Sequence, residues 1–345
     1  MLHQTTATRG SRADPSHPSL LDRVSWCSVS LQRMAPPTTD SPLDLSHWCQ
    51  LEHLTGDASA RSYSRLWRPP GETAILVEYP AGVRHQVVRD LEVSAWCHER
   101  GLLVPRVLAV TPADGRVLLE DMGDRDGETA LTVTTHDLQP GLLDGMLRPL
   151  ELLAGCDPAA LPPWNPPLDR ARLRWELAGF ELWFVSHLKN TRPWESLDRW
   201  LNDLSEEVAG HPRRVCHRDY HLNNLLVQDD GEVAVLDIQD ILVGPDTYDA
   251  VSLLTERAAI RLIPDGERRR LMARWADRTA ARPGWQDRAM VVQVQRGLKV
   301  LGTFARLSLE GRSGYRAWMA ELAANLVGLL ETLGADHQTT ALLID

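Results

Sequence analysis

The stretch "VCHRDYHLNNLLVQDDGEVAVLDIQD", residues 215–240, decides how the rest of the chain is read. "RRVCH", "NLLV" and "VAVLDI" have the apolar and β-branched content of short strands, and "QDDGE" between the last two has the chemistry of a tight hairpin turn. A strand ending at His217 would be followed by a loop holding Asp219 and a second strand starting near Asn224. The hairpin beyond it then returns Asp237, so that all three side chains converge on one mouth.

Two of these groups, the Asn224 carboxamide and the Asp237 carboxylate, suit Mg²⁺, a hard ion that keeps waters and takes its other ligands from phosphates. Asp219 is left to accept a proton from an attacking hydroxyl. His-Arg-Asp followed by Asn five residues after the Asp, with a further Asp on the next hairpin, is the arrangement of protein-kinase-like phosphotransferases. Four fixed residues, each used at ~5%, coincide in roughly one chain of this length in five hundred. A polar turn that merely caps its own backbone is therefore the poorer explanation. His217 and His221 have the spacing of a zinc pair, but they flank a loop rather than lie on a helix.

The 345 residues have room for one large or two ordinary domains. A formal net charge of −10 gives no support to nucleic-acid binding. No apolar run reaches ~18 residues, and no basic amphipathic helix offers a membrane surface. Five scattered cysteines without a CxxC pair favour a reducing compartment over a disulfide framework. The expectation is a cytoplasmic monomer that acts on a small molecule, without nucleic-acid or membrane partners. Among 37 basic residues only Lys189 and Lys299 are lysine.

Residues 1–45, rich in Ser, Thr, Pro and Arg, read as a loose tail. Over 46–122, "LEHL", "SYSRLWR", "TAILVEY" and two strands around "PADG" make a five-stranded sheet, with one helix from about 84 to 100 ended by Gly101. Over 123–345 the pattern turns helical, as in "LLDGMLRPLELLAG", "RARLRWELAGFELWFVSHL" and "WESLDRWLNDLSEEVAG". The fold class is α+β: a small nucleotide-binding lobe, a larger and mainly helical lobe, and a ligand cleft between them.

"TGDASA" between two strands places Gly56, Asp57, Ala58 and Ser59 where open backbone N–H groups suit ATP phosphates. "LLEDMG" ends the fifth strand at the lobe junction, where the Glu120 carbonyl and the Met122 N–H could meet the edge of an adenine. Protein kinases carry a phosphate-holding lysine on the third strand, paired with a helix Glu. "AILVEY" has none, and no lysine precedes residue 189. Arg61 is the first substitute and Arg65 the second, since a guanidinium holds phosphate bidentately. Glu92 on the helix is the candidate to orient either one.

These motifs resemble those of the aminoglycoside-phosphotransferase-like kinases, which share the two-lobed protein-kinase fold. "GDASARSYSR", "LLEDMGD" and "QDILVGPDTYDAVSLL" are closer still to the bacterial anomeric sugar kinases acting on N-acetylmuramate and N-acetylglucosamine, over roughly residues 50 to 310. The resemblance implies ATP and Mg²⁺ as cofactors and an amino-sugar acceptor phosphorylated at its anomeric hydroxyl. It also implies that Asp249 either braces the catalytic loop or caps a helix. Glu176 and Trp183, in "RWELAGFELWFVSH", match positions on a helix of those kinases. There a carboxylate would accept sugar hydroxyls and an indole would stack on the ring; aromatic residues at that spacing equally suit a core. Two alternatives stand beside this reading: another small-molecule kinase, for an aminoglycoside, choline or homoserine, and a nucleotide-binding pseudokinase suggested by the missing lysine.

Overall fold

Alternating apolar residues and turn signals build the first sheet from β1 (Cys49–Leu54), β2 (Ser62–Arg68), β3 (Glu72–Glu78), β4 (Val107–Thr111) and β5 (Arg116–Glu120). The strands pair antiparallel in the order β1-β2-β3-β5-β4. The structure, a computed structural model, describes residues 43–54, 60–135, 139–312 and 314–344. The β4–β5 turn closes at Gly115, whose φ of +69° suits glycine; a Cβ there would lie 2.6 Å from the Tyr79 carbonyl.

Both faces of this sheet are apolar, because each is covered. Val77, Val110 and Val117 pack with Val87 of helix α1 (Gln86–Glu99). Leu66, Ala74, Leu76 and Leu118 pack with Leu43, Leu45 and Trp48. Leu43 and Leu45 therefore belong to the lobe rather than to the tail expected over 1–45. The rest of that segment, 1–42, lies outside the described residues, as do Gly56, Asp57, Ala58 and Ser59.

Helix α1 ends as its sequence implies: Gly101, at φ +77°, donates its N–H to the His98 carbonyl. Its other face is buried in the second lobe. Val93, Trp96 and Cys97 share one core cluster with Leu131, Met146, Tyr220, Leu222 and Val235. The Val235 N–H also donates to Leu103 O at 2.8 Å. The lobes are thus joined along α1 as well as through the crossing strand at 121–126.

The second lobe contains α2 (Gly127–Val133), α3 (Gln139–Ala154), α4 (Arg170–Gly179), α5 (Glu195–Ala209), α6 (Tyr248–Thr255), α7 (Arg257–Leu262), α8 (Asp265–Arg278), α9 (Trp285–Leu309), α10 (Tyr315–Thr332) and α11 (His337–Ile344). Two small antiparallel pairs sit among them: β6 (Arg213–Cys216) with β9 (Leu242–Pro245), and β7 (Leu225–Val227) with β8 (Val233–Val235). No helix among the described residues is long and apolar enough to cross a membrane.

One helical reading changes. The stretch "RARLRWELAGFELWFVSHL" follows α-helical spacing only as far as Gly179, and Phe180–Leu188 forms a π-helix. Gly302 of α9 is the physical partner of this break. A Cβ at 302 would sit 2.5 Å from the Phe180 amide nitrogen, so α9 touches the backbone where the turn widens. Gly302→Ala is expected to destabilise the chain by about 1–3 kcal/mol through overpacking against backbone that has no room to yield. Chemical denaturation checks this, and an unchanged midpoint would refute the contact.

Candidate active site

The catalytic loop is built on strain that a buried carboxylate holds in place. Arg218 has φ +82°, in a region that non-glycine residues avoid. Asp249, in the first turn of α6, accepts from the His217 N–H at 2.6 Å and from the Arg218 N–H at 2.9 Å. Arg296 of α9 donates to the Arg218 carbonyl at 3.0 Å, and its other end meets Ser252 Oγ at 2.6 Å. The His217 imidazole is fully buried, with Nε2 2.8 Å from Leu236 O. The backbone leading into Asp219 is therefore fixed.

Asp219, Asn224 and Asp237 are tied to one another. Asn224 Nδ2 donates to the Asp219 carbonyl at 2.8 Å, and the Leu236 N–H donates to the Asn224 carbonyl at 2.8 Å. Asp237 follows directly with φ +60°, a second non-glycine residue in the left-handed region. The His221 ring feels the charges of both Asp219 and Asp237.

Among the described residues no group of three His, Cys, Asp or Glu side chains converges to hold a metal. What the loop offers is two hard oxygens. Asn224 Nδ2 is used within the loop, which turns Oδ1 outward. Asp237 Oδ1 takes Gln239 Nε2 at 2.6 Å and has Arg61 Nη2 at 3.6 Å, which leaves Oδ2. This donor set fits an ion that fills the rest of its shell with water and phosphate oxygens, as Mg²⁺ does.

Asp219 is ringed by cations. Burial alone would raise its pKa, but Lys299, Arg296 and Arg218 outweigh burial and hold the carboxyl below its ordinary value. It is ionised at neutral pH and can accept a hydroxyl proton. Burial works against the Lys299 ammonium, yet Tyr248, Glu176 and Asp219 raise its pKa and keep it charged.

Glu176, expected to accept sugar hydroxyls, has a side chain only 1% exposed behind Asp219. Oε1 faces Arg218 Nη2 at 3.2 Å and Lys299 Nζ at 3.6 Å, and Oε2 accepts from Gln295 Nε2 at 3.3 Å. It neutralises the cations behind Asp219. Trp183 lies on the π-helix, half-buried against the core, with its ring 5.2 Å from that of His187. Phe180, at the start of the π-helix, is fully buried and stacks on Phe184.

On the nucleotide side, Arg61 Nη1 lies 3.3 Å from Asp90 Oδ2. Asp90, not Glu92, is thus the helix carboxylate that meets it; Glu92 instead accepts from Trp164 Nε1 at 2.9 Å. Arg65 is no solvated strand residue. It is buried, with Nε 2.7 Å from Asp121 Oδ2, Nη2 2.5 Å from Asp124 Oδ1 and Nη1 2.6 Å from Glu52 Oε1, so it ties the sheet to the lobe crossing. The Glu120 side chain is held by Arg106 at 2.8 Å. Met122 uses its carbonyl for Gln228 Nε2 at 3.1 Å, while its N–H has no partner among the described residues and is open to a ligand.

Lys299 and Arg296 escaped the sequence reading because they come from a helix some eighty residues further on. The scarcity of lysine was the one available signal.

The sequence matches the phosphotransferase enzyme family over residues 50–291, and the chain belongs to that family. It is 32% identical to the N-acetylmuramate/N-acetylglucosamine kinase of Pseudomonas aeruginosa over 75% of this chain and 77% of that one. It is 26% identical to the protein of the same name from Neisseria meningitidis, over 79% of this chain and 86% of that one. Its fold matches the aminoglycoside phosphotransferase of Streptomyces rimosus in complex with ADP and streptomycin, with a TM-score of 0.51, 17% identity, and 68% and 90% of the two chains covered. The chain is a phosphotransferase with the two-lobed protein-kinase-like fold.

Glu256 supports the catalytic loop from below, and Oε1 accepts from the Leu222 N–H at 3.1 Å. Burial pushes its carboxyl up to about 7, against the two backbone N–H groups that favour its charge. A folded pKa above the free value means its contribution to stability is complete below about pH 4.5 and is lost as pH rises through about 7. Glu256 should therefore contribute a loss on the order of 2 kcal/mol between pH 5 and pH 8, set against the opposite contributions of His98, His211 and His221, whose pKa values burial lowers. Glu256→Gln should flatten that slope. Denaturation at the two pH values tests it, and identical slopes in the two proteins would refute it.

Proposed function

We propose that this chain transfers the γ-phosphoryl group of ATP to the anomeric hydroxyl of an N-acetylated amino sugar, N-acetylmuramate or N-acetylglucosamine. The observation that carries the reading is the ionised Asp219 on its pinned loop, beside two spare oxygens on Asn224 and Asp237. The names of the relatives at 32% and 26% identity support the acceptor class.

The C1 oxygen forms its bond to the γ-phosphorus as the bond to the ADP oxygen breaks, and the proton of the C1 hydroxyl passes to Asp219. A carboxylate made less basic by three cations suits a hemiacetal hydroxyl, which is more acidic than an ordinary alcohol. Arg61 and the loop at Gly56, Asp57, Ala58 and Ser59 cover the phosphates, with the Met122 N–H and the Glu120 carbonyl at the adenine edge. Asn224 and Asp237 would hold Mg²⁺, which neutralises charge on the β- and γ-phosphates. Placement and electrostatics provide most of the acceleration, since the transition state is loose. Glu176 acts through Lys299 and Arg218, and Trp183 borders the acceptor.

The test is turnover with Mg-ATP and N-acetylmuramate, N-acetylglucosamine, kanamycin or choline, following ADP and reducing ends together. ADP release with loss of reducing ends is expected only for the N-acetyl sugars. ADP release with kanamycin or choline alone would move the assignment to an amine-bearing acceptor, and nucleotide binding without turnover would make the chain a pseudokinase. Asp219→Asn should lower kcat by about 10²–10⁴-fold with nucleotide affinity retained. Undiminished turnover in that variant would remove Asp219 from the mechanism.

A further inference from the structure

β3 reads "ETAILVE" and carries no basic residue, so the cation that a kinase keeps on this strand has to come from elsewhere. We propose that Arg61 is that cation and that Asp90 and Tyr79 are its positioning residues, an anchor on α1 and at the end of β3 that replaces the strand-lysine and helix-glutamate pair. The proposal rests on the phosphotransferase reading of the cleft.

Asp90 Oδ2 is shared by Arg61 Nη1 at 3.3 Å and the Tyr79 hydroxyl, which donates at 3.0 Å. Asp90 Oδ1 accepts from Arg89 Nε and Nη2 at 3.0 and 2.9 Å. The Arg61 guanidinium carbon lies 5.5 Å from the Tyr79 ring centre and 5.8 Å from that of Tyr63, within cation–π range. The Arg61 and Asp90 side chains are 11% and 10% exposed, so solvent screens the pair little. The other arm of the fork, Nη2, pairs with Asp237 Oδ1 at 3.6 Å, which places the guanidinium beside the oxygens assigned to the metal.

A guanidinium holds a helix carboxylate with one nitrogen while another faces the phosphates, so an arginine entering from the loop covers both tasks. The anchor is firm because α1 is buried in the second lobe and packs on the turn at 238–240 that follows Asp237. Burial and charge together leave the guanidinium more firmly protonated than usual, with Tyr63, Tyr79 and Asp90 outweighing desolvation.

The experiment measures binding of ATP, ADP and adenosine to the full chain by calorimetry, with no sugar present. Arg61→Ala and Asp90→Asn should each weaken ATP and ADP about tenfold or more while adenosine affinity stays within about twofold. The double variant should be no weaker than Arg61→Ala alone, since the two act as one unit. Asp90→Glu should recover part of the loss, and Tyr79→Phe should show a smaller loss of the same kind. Wild-type ATP affinity in Asp90→Asn, or an equal fall in adenosine and ATP affinity, would overturn the proposal. An unaltered chain that binds no ATP would instead overturn the underlying phosphotransferase reading, and the choice of sugar affects neither outcome.

Discussion

Everything at the mouth of the cleft hangs on the carboxylate of Asp249. A left-handed residue other than glycine costs roughly 1–2 kcal/mol, and Arg218 pays it in a loop that must also aim Asp219. Two backbone N–H groups donating to one buried carboxylate offset that strain, and Arg296 secures the Arg218 carbonyl that follows them. Once residue 218 is fixed, the Asp219 carbonyl stands where Asn224 clasps it, and the Asn224 carbonyl stands where Leu236 reaches it. Asp237 comes next in the chain. The positions of Asn224 and Asp237 are thus set by a relay of hydrogen bonds that starts at Asp249.

The electrostatics follow from the same packing. The chain carries a net charge of −10, yet Asp219 sits among Lys299, Arg296 and Arg218. Such a ring of buried cations would be unstable without Glu176, whose side chain meets Arg218, Lys299 and Gln295 from behind. One of the two lysines in the molecule is spent here, which argues that a compact ammonium is needed at this spot.

What could be read in advance was whatever the chemistry packs into adjacent residues. The span from His217 to Asp237 holds its own spacing, so the hairpin that brings Leu236, next to Asp237, onto Asn224, and Asn224 onto the Asp219 carbonyl, was legible without any tertiary contact. The five strands and α1 were legible because turn residues punctuate them. Side choices were not. Asp90 and Glu92 are two residues apart on α1 and so point about 200° apart around it, one toward Arg61 and the other toward Trp164. No local signal says which lobe each side of α1 faces. Glu176 and Trp183 were read on one continuous helical face, and the π-helix from Phe180 removes that face. Its cause, Gly302, lies more than a hundred residues away.

The two joints between the lobes would let an arginine entering from a loop take the place of a lysine fixed on a strand, as proposed for Arg61. Arg65 binds Asp121 and Asp124 at the crossing and Glu52 on β1, so the sheet is tethered where the chain passes between lobes. On the other side, α1 is packed into the second lobe, Trp164 donates to Glu92, and Asn165 donates to the carbonyls of Gln239 and Ile241 beyond Asp237. Asp90 rides on that same helix. A cation anchored to Asp90 therefore keeps its distance from Asp237 by the rigidity of the helix rather than by the register of β3. On the proposed reading, the phosphate contact would move to another strand end without loss of geometry because the helix carboxylate moves with it, to Asp90 on the face of α1 that Arg61 meets.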